Sequence, residues 1–343
     1  MAQTSRERVR RCLTFENPDR VPRDLWTLPW FTSRYPEALA ELRRRFPSDL
    51  GGPGNVYRPS PRATGDMFAV GTRVDEWGCE FVNIQAGVHG EVRDPVLPEL
   101  RNWKTVKPPY ETLPENPETA RERVRRDCGN SDAFMLANGC PRPWERYQFL
   151  RGSEAAMLDI MDPGAEALGL LKTIHEFDMR ELEFWASTHV DALRFMDDWG
   201  AQRQLLIPPP VWRELFKPLY KAYCDLAHAH GKFIFMHSDG HIAEILDDLV
   251  EIGVDALNSQ LFCMDMADVA ARAKGNLTFW GEIDRQHVLS AADPRIGREA
   301  VRRVARHLYD TRGGVMAQLE AGPGANPNTV LAIFEEWEKV GRD

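Results

Sequence analysis

The chain has 343 residues, of which 43% are hydrophobic and 28% charged, with a formal net charge of −9, a composition typical of globular proteins. It contains no basic cluster that would bind nucleic acid or an anionic membrane, and no stretch apolar enough to span a bilayer. The N-terminus lacks the apolar core of a secretion signal. We therefore expect a cytoplasmic protein whose six scattered cysteines are reduced thiols.

The first third of the chain predicts two short strands between helices, followed by an insertion. Residues 5–15 and 36–46 have helical periodicity, and residues 21–26 and 55–57 predict the first two strands. Residues 71–106 alternate polar and apolar side chains and carry glycines between the alternating runs. This pattern predicts a small β-hairpin insertion.

From residue 133 onwards, strand and helix patterns alternate regularly. The predicted strands are residues 133–139, 190–198, 233–240, 254–258, 277–282 and 314–320. Alternation of this kind predicts a parallel sheet, and eight strand–helix units predict a closed barrel. No Gly-x-Gly-x-x-Gly follows a strand, which argues against an open dinucleotide-binding sheet. We therefore expect an α/β fold, a single (β/α)8 TIM barrel domain spanning residues 1–343.

In such a barrel, the active site lies at the C-terminal ends of the strands. Carboxylates crowded at one mouth raise each other's pKa unless a cation compensates, which favours a bound divalent metal. The polar or aromatic residues at the predicted strand ends are Asp24, Trp26, Asn138, Asp197, Asp198, His237, Asp239, Asn258, Glu282, Asp284 and Glu320.

The metal ligands that we predict are His237, Asp239 and Glu320. The first two are separated by one residue at a strand end, and the last barrel strand lies beside the first and can supply a third ligand. One nitrogen and two oxygens suit zinc at a catalytic site that keeps an open position. The alternative is that His237 makes a structural hydrogen bond to Asp239 or to a neighbouring loop.

The predicted catalytic residues are Asp197, Asp198 and His237. One of the paired carboxylates could act as a general base or bind substrate, and the alternative is that one of them caps the following turn or helix. Gln202 follows closely and could donate a hydrogen bond to a substrate oxygen.

Four further strand-end residues are predicted to contact substrate, and they are Trp26, Asn138, Asn258 and Glu282. The alternative for Asn258 and Glu282 is a hydrogen bond to a loop backbone. The alternative for Trp26 is packing in the core.

Several segments resemble the uroporphyrinogen decarboxylase superfamily, and the resemblance extends over nearly the whole chain. They are residues 8–22, 198–202 (Asp-Trp-Gly-Ala-Gln), 237–240 (His-Ser-Asp-Gly), 253–258 and 280–284 (Trp-Gly-Glu-Ile-Asp). The resemblance implies a single (β/α)8 barrel. True uroporphyrinogen decarboxylases grip a tetrapyrrole with an arginine-rich N-terminal segment, whereas this chain has residues 24–30 (Asp-Leu-Trp-Thr-Leu-Pro-Trp) in that region.

The other branch of the superfamily comprises corrinoid-linked methyltransferases, which bind zinc through a His-x-Cys pair and a later cysteine. His237 matches the histidine, and Asp239 and Glu320 stand in for the two cysteines. Carboxylates are harder metal ligands than thiolates. A metal held by carboxylates is therefore better suited to polarising the oxygen of a methoxylated compound than to activating a thiol.

The resemblance therefore implies a zinc-dependent methyltransferase that acts in corrinoid-dependent methyl transfer or in O-demethylation of a small substrate, such as a methoxylated aromatic compound. A separate corrinoid protein would dock over the barrel mouth, and the enzyme could be a homodimer. Two alternatives remain open. One is a decarboxylase or other lyase acting on a small carboxylated substrate, and the other is a non-catalytic barrel that binds a corrinoid or a tetrapyrrole.

Overall fold

The computed structural model describes residues 2–341, so Met1, Arg342 and Asp343, at the ends of the predicted domain, lie outside the described residues. The strands are β1 (Arg23–Thr27), β2 (Leu50–Gly51), β3 (Gly71–Val74), β4 (Glu80–Asn83), β5 (Glu91–Val92), β6 (Phe134–Met135), β7 (Ala192–Met196), β8 (Phe233–Ser238), β9 (Ala256–Ser259), β10 (Thr278–Trp280) and β11 (Val315–Ala321).

Helices separate most of the strands. They are α1 (Ser5–Leu13), α2 (Pro29–Arg34), α3 (Pro36–Arg45), α4 (Pro117–Gly129), α5 (Pro143–Arg151), α6 (Ser153–Met161), α7 (Ala165–Ala186), α8 (Pro209–Leu215), α9 (Lys217–Ala229), α10 (Leu246–Ile252), α11 (Met266–Ala273), α12 (Pro294–Leu308) and α13 (Pro327–Trp337). Several of them begin with proline in the first turn, where its missing N–H costs no helical hydrogen bond. Short 3₁₀ turns occur at Leu100–Thr105, Tyr110–Thr112, Ala243–Ile245 and Leu261–Cys263.

Eight of the strands close into a barrel. Six of them form one parallel sheet in the order β1-β11-β10-β9-β8-β7, and β2 pairs in parallel with β6. A parallel bridge between Leu136 and Ala192 joins β6 to β7. The backbone N–H of Asp49 donates to the carbonyl of Arg23 over 2.8 Å, which joins β2 to β1. The ring is therefore complete, and the predicted (β/α)8 barrel is confirmed.

The barrel interior is filled by alternate residues of the strands. The inner cluster includes Phe134, Ala192, Phe235, Ala256 and Met316, together with Val9, Cys12 and Leu13 of α1. The intervening strand residues face outward and pack against the helices. Because α1 joins the inner cluster, it covers the N-terminal end of the barrel, and only the opposite end is left for a site.

The predicted insertion is a three-stranded antiparallel sheet, since β4 pairs with both β3 and β5. Two predicted elements differ from the structure. The second barrel strand is β2 rather than residues 55–57, because glycine-rich residues 51–54 lie within and after the strand instead of before it. The helical pattern of residues 210–230 predicts one helix between β7 and β8, and the structure divides it at Phe216 into α8 and α9. Within residues 2–341, every helix is too short or too polar to cross a bilayer.

Candidate functional site

Three neighbouring strands bring an imidazole and an amide together at the C-terminal end of the barrel. In the parallel register, His237 of β8 lies between Met196 of β7 and Asn258 of β9. The side chain of His237 is only 13% exposed, and Asn258 is fully buried. The apolar run of β8 thus ends in one polar side chain, His237, at the C-terminal mouth of the barrel, as the sequence pattern predicts.

The loops that follow β7 and β8 cross in close contact and bring two aspartates beside His237. A Cβ atom on Gly200 would lie 2.2 Å from the backbone nitrogen of His241, and one on Gly240 would lie 2.0 Å from the carbonyl oxygen of Gly200. Only glycine fits at this crossing. The backbone N–H of Asp239 donates to Oδ1 of Asp198 over 2.9 Å, so the two loops are tied together at the site.

His237, Asp198 and Asp239 form a compact cluster. Nε2 of His237 lies 3.5 Å from Oδ1 of Asp198 and 3.6 Å from Oδ1 of Asp239. Burial alone would lower the pKa of His237, but the two carboxylates outweigh it and raise the pKa to about 9. Burial opposes ionisation of Asp198, yet the neighbouring imidazole holds the pKa of Asp198 below its ordinary value.

Asn258 fixes the orientation of the imidazole. Its Nδ2 group donates to the backbone oxygen of Trp280 and, over 2.9 Å, to Oε1 of Gln318. The amide oxygen of Asn258 therefore faces Nδ1 of His237 at 2.6 Å and accepts its proton. This arrangement leaves Nε2 directed at the two aspartates, with its lone pair available when the ring is neutral.

The residues of this cluster fit a divalent metal. One atom from each of His237, Asp198 and Asp239 lies within 4.8 Å of the other two. Oδ1 of Asp239 is buried and has no hydrogen-bond partner among residues 2–341, which is costly unless a cation or a proton satisfies it. One imidazole nitrogen and two carboxylate oxygens are a donor set that zinc accepts at catalytic sites.

Arg285 binds three carboxylates at the edge of the cluster, and the sequence analysis missed it. Its guanidinium donates to Oδ2 of Asp239, and it lies 3.3 Å from Oε2 of Glu282 and 3.3 Å from Oε1 of Glu320. Burial lowers the pKa of Arg285, but the surrounding carboxylates outweigh this effect and raise it. Arg285 follows β10 by several residues, so the strand-end rule stopped short of it.

The position of Glu320 changes the predicted ligand set. Glu320 pairs with Arg285 and lies outside the cluster of ligand-capable atoms, where Asp198 occupies the third place. The carboxylate from the loop after β7 reaches His237, because the glycine crossing pulls that loop toward β8. We therefore replace Glu320 with Asp198 in the candidate ligand set.

Asp197 and Asn138 are occupied by structural hydrogen bonds. Asp197 is fully buried and accepts from the backbone N–H groups of Trp144 and Glu145 and from the hydroxyl of Tyr220. Burial raises its pKa well above the ordinary value. Asn138 donates to the carbonyl of Pro53 over 2.9 Å. Both side chains thus secure neighbouring segments, and the catalytic role of Asp197 and the substrate contact of Asn138 stay predictions.

The other predicted substrate contacts lie around the cluster. The Trp26 ring centroid is 5.7 Å from that of His237, and its indole N–H donates to Asp24 over 2.9 Å. Gln202 and Glu282 line a cavity of about 340 Å³, and so do Asp239 and Arg285. Burial raises the pKa of Glu282 to about 8. Asp239 is thus shared between the cluster and the cavity.

A solved methyltransferase structure shares this architecture over nearly the full length of both chains. A methyltransferase from Methanosarcina mazei has a TM-score of 0.70 and 14% sequence identity, with 98% of this chain and 99% of that chain covered. A chitinase from Chromobacterium violaceum has a TM-score of 0.39 at 11% identity, with 92% of this chain and 99% of that chain covered. No curated protein matches the sequence.

The family comparison covers most of the chain. The family model described as uroporphyrinogen decarboxylase (URO-D) matches residues 72–339, a span that contains β4 to β11 and every residue of the cluster and the cavity. The resemblance found in the sequence motifs is confirmed, and the chain belongs to the uroporphyrinogen decarboxylase family.

Proposed function

We propose that the protein is a zinc-dependent methyltransferase of this family, built as a single barrel domain. The observation that carries the proposal is the cluster of His237, Asp198 and Asp239, with Nε2 of His237 facing two carboxylate oxygens at 3.5 and 3.6 Å. Support for methyl transfer comes from the Methanosarcina mazei protein, which is a methyltransferase and shares the fold over nearly the full length of both chains.

Zinc held by one nitrogen and two carboxylate oxygens would supply a Lewis acid suited to polarising the oxygen of a methyl ether. The chain's own residues would prepare this site. Asn258 orients the imidazole, and Arg285 holds Oδ2 of Asp239 so that Oδ1 stays directed at the cluster. Trp26 stands against His237 and shields one side of it from water.

The finer parts of the proposal concern substrate and partners. The methyl donor would be a small compound such as a methoxylated aromatic molecule, and the methyl acceptor would be a corrinoid carried by a separate protein docked over the mouth. A cytoplasmic location and a homodimer belong to the same proposal. The runner-up, a decarboxylase acting on a small carboxylated substrate, is less favoured because carboxylates surround the only arginine that lines the described cavity.

Metal analysis of the purified protein tests the proposal. We expect about one equivalent of zinc per chain when chelators are avoided, and less than about a tenth of an equivalent would contradict it. His237→Ala should abolish zinc binding. His228→Ala is the matched control, because His228 also faces a carboxylate, Asp255 at 3.0 Å, but its side chain is 43% exposed and lies outside the cluster.

Two further measurements separate the parts of the proposal. Asp198→Ala should lower zinc content, whereas Glu320→Gln should leave it unchanged. The opposite result would restore Glu320 as the ligand. Methyl transfer can be followed by the absorbance change when cob(I)alamin receives a methyl group from a methoxylated aromatic donor. The wild-type protein should catalyse this transfer, and His237→Ala should not.

A further inference from the structure

A cavity beside the candidate metal cluster has a distinctive charge arrangement. It has a volume of about 340 Å³, which is the space of about eleven water molecules and is small for a ligand pocket. Residues from the loops after β7, β8, β9 and β10 line it, and Asp239 belongs to both the cavity and the cluster. A molecule bound there would therefore lie next to the cluster.

Among residues 2–341, Arg285 supplies the guanidinium that lines the cavity, and each of its nitrogens already has an acidic partner. Nη2 of Arg285 binds Asp239, Nε faces Glu282 at 3.3 Å, and Nη1 faces Glu320 at 3.3 Å. Asp284 adds another carboxylate to the wall. When Glu282 is protonated and a dication neutralises the cluster, the two negative charges of Asp284 and Glu320 still exceed the single positive charge of Arg285.

The remaining polar groups of the wall are mostly uncharged. The side chains of Gln202, Gln260 and Gln286 offer amides, and Phe262 and Cys263 supply apolar surface. Neutral amides bind hydroxyl and ether oxygens without a charged partner. An aromatic wall and a few directional polar groups are typical of a small-molecule site.

We propose that this cavity is the substrate pocket and that it selects uncharged, single-ring methyl ethers while rejecting substrates that carry a carboxylate. The proposal rests on the proposed function, because that function places the reacting oxygen beside the cluster. The charge preference itself depends on the residues of the wall and not on the metal. A substrate carboxylate would lose water, and among the described residues that line the cavity only His287 and Arg285, which three carboxylates already hold, can carry positive charge. Asp284 and Glu320 would repel it.

A pair of probes of nearly equal size tests this selection. Binding of 4-methoxybenzyl alcohol and of 4-methoxybenzoate is measured by calorimetry at low salt and about pH 8. We expect the alcohol to bind more tightly by about tenfold or more, a difference typical of one uncompensated charge near the protein surface. The measurement is repeated on metal-free protein, so that a contact between zinc and the benzoate cannot mask the effect of the wall.

Asp284→Asn provides the decisive variant. Oδ1 of Asp284 accepts from the backbone N–H of Gln286 over 2.7 Å, and an asparagine keeps this acceptor while removing the charge. The variant should narrow the preference for the alcohol over 4-methoxybenzoate by about threefold or more, because it removes one of the repelling charges. Asp293→Asn is the control, because Asp293 accepts from the N–H of Arg295 in the same way but lies outside the cavity.

Three outcomes would overturn the proposal: equal or tighter binding of the benzoate in wild-type protein, no binding of either probe, or no response to Asp284→Asn. The failure of the proposed function is distinguishable, because it would appear as missing zinc while the charge preference of the metal-free cavity persisted.

Discussion

The Nδ1 atom of His237 lies 2.6 Å from the amide oxygen of Asn258, and this hydrogen bond turns the opposite ring nitrogen toward Asp198 and Asp239. Asn258 is itself held by Trp280 and Gln318 from the next two strands. The orientation of the imidazole thus depends on four consecutive strands of the barrel, β8 to β11.

Removing this support should weaken metal binding. Asn258→Ala leaves Nδ1 of His237 without its acceptor, and we expect zinc affinity to fall by about 10–100-fold, as for other partners of metal-binding histidines. Competition with a chromophoric chelator measures the change. Asn138→Ala is the control, since Asn138 also follows a barrel strand but binds Pro53 away from the cluster. Equal affinities for the two variants would contradict the role of Asn258.

The adjacent aspartates should give opposite results. Asp197→Asn places an NH₂ group among donors that need an acceptor, Trp144, Glu145 and Tyr220, and should cost about 1–3 kcal/mol in the free energy of unfolding without changing zinc content. Asp198→Asn should lower zinc affinity and change stability little. Urea denaturation and chelator competition on both variants check the pair, and loss of zinc binding in Asp197→Asn would return that residue to the site.

Asp24 should make stability depend on pH. Burial raises the pKa of Asp24 to about 6 from an ordinary 3.8, although hydrogen bonds from Ser48, Trp26 and Trp280 oppose the rise. The folded protein therefore binds this proton more tightly than the unfolded chain, and the stability that the proton confers is lost as pH rises from about 4 to about 6. Asp24→Asn should remove this loss, a gain of up to ~3 kcal/mol at neutral pH.

Denaturant unfolding at several pH values, in wild type and variant, measures the Asp24 effect as a difference. An asparagine can still accept from both indole N–H groups and can donate to Ser48. Asp66→Asn serves as the control, because Asp66 is an exposed aspartate that accepts from the N–H of Phe68. A stability difference between wild type and Asp24→Asn that does not change with pH would contradict the prediction.

Arg285 should stabilise the metal-free protein through its carboxylates. Arg285→Met leaves Asp239 and Glu320 without their cation beside the buried Glu282, and we expect a loss of about 3 kcal/mol, at the low end for buried pairs because the arginine side chain is partly exposed. Arg302→Met, which breaks a more exposed pair with Glu336, should cost less than about 1 kcal/mol.

The barrel was predictable because the sequence pattern of each strand and helix lies within a few adjacent residues. Short β-forming runs alternate with helical periodicities, and eight such units predict a closed barrel. The error at the second strand has a local cause, since β2 contains only Leu50 and Gly51. Its pairing with β6 and the backbone of β1, rather than its own sequence, places it in the ring.

The site was predictable only in part. The rule that active sites lie at strand ends led to His237, Asp239 and Asn258, because each follows a clear apolar run. It could not separate Asp197 from Asp198, although the two carboxylates have opposite environments. The side chain of Asp197 faces α5 and α9, whereas the side chain of Asp198, the next residue, lies at the barrel mouth beside His237.

The fold, the family and the imidazole of the candidate site could be read from the sequence, since they depend on periodicity and on motifs of a few adjacent residues. The groups that surround this imidazole became visible only in the folded chain. Asp198 reaches it through the contact of Gly200 with Gly240, and Glu320 is held away from it by Arg285. Contacts of this kind join residues far apart in the chain, and they depend on loop conformations that no local pattern specifies.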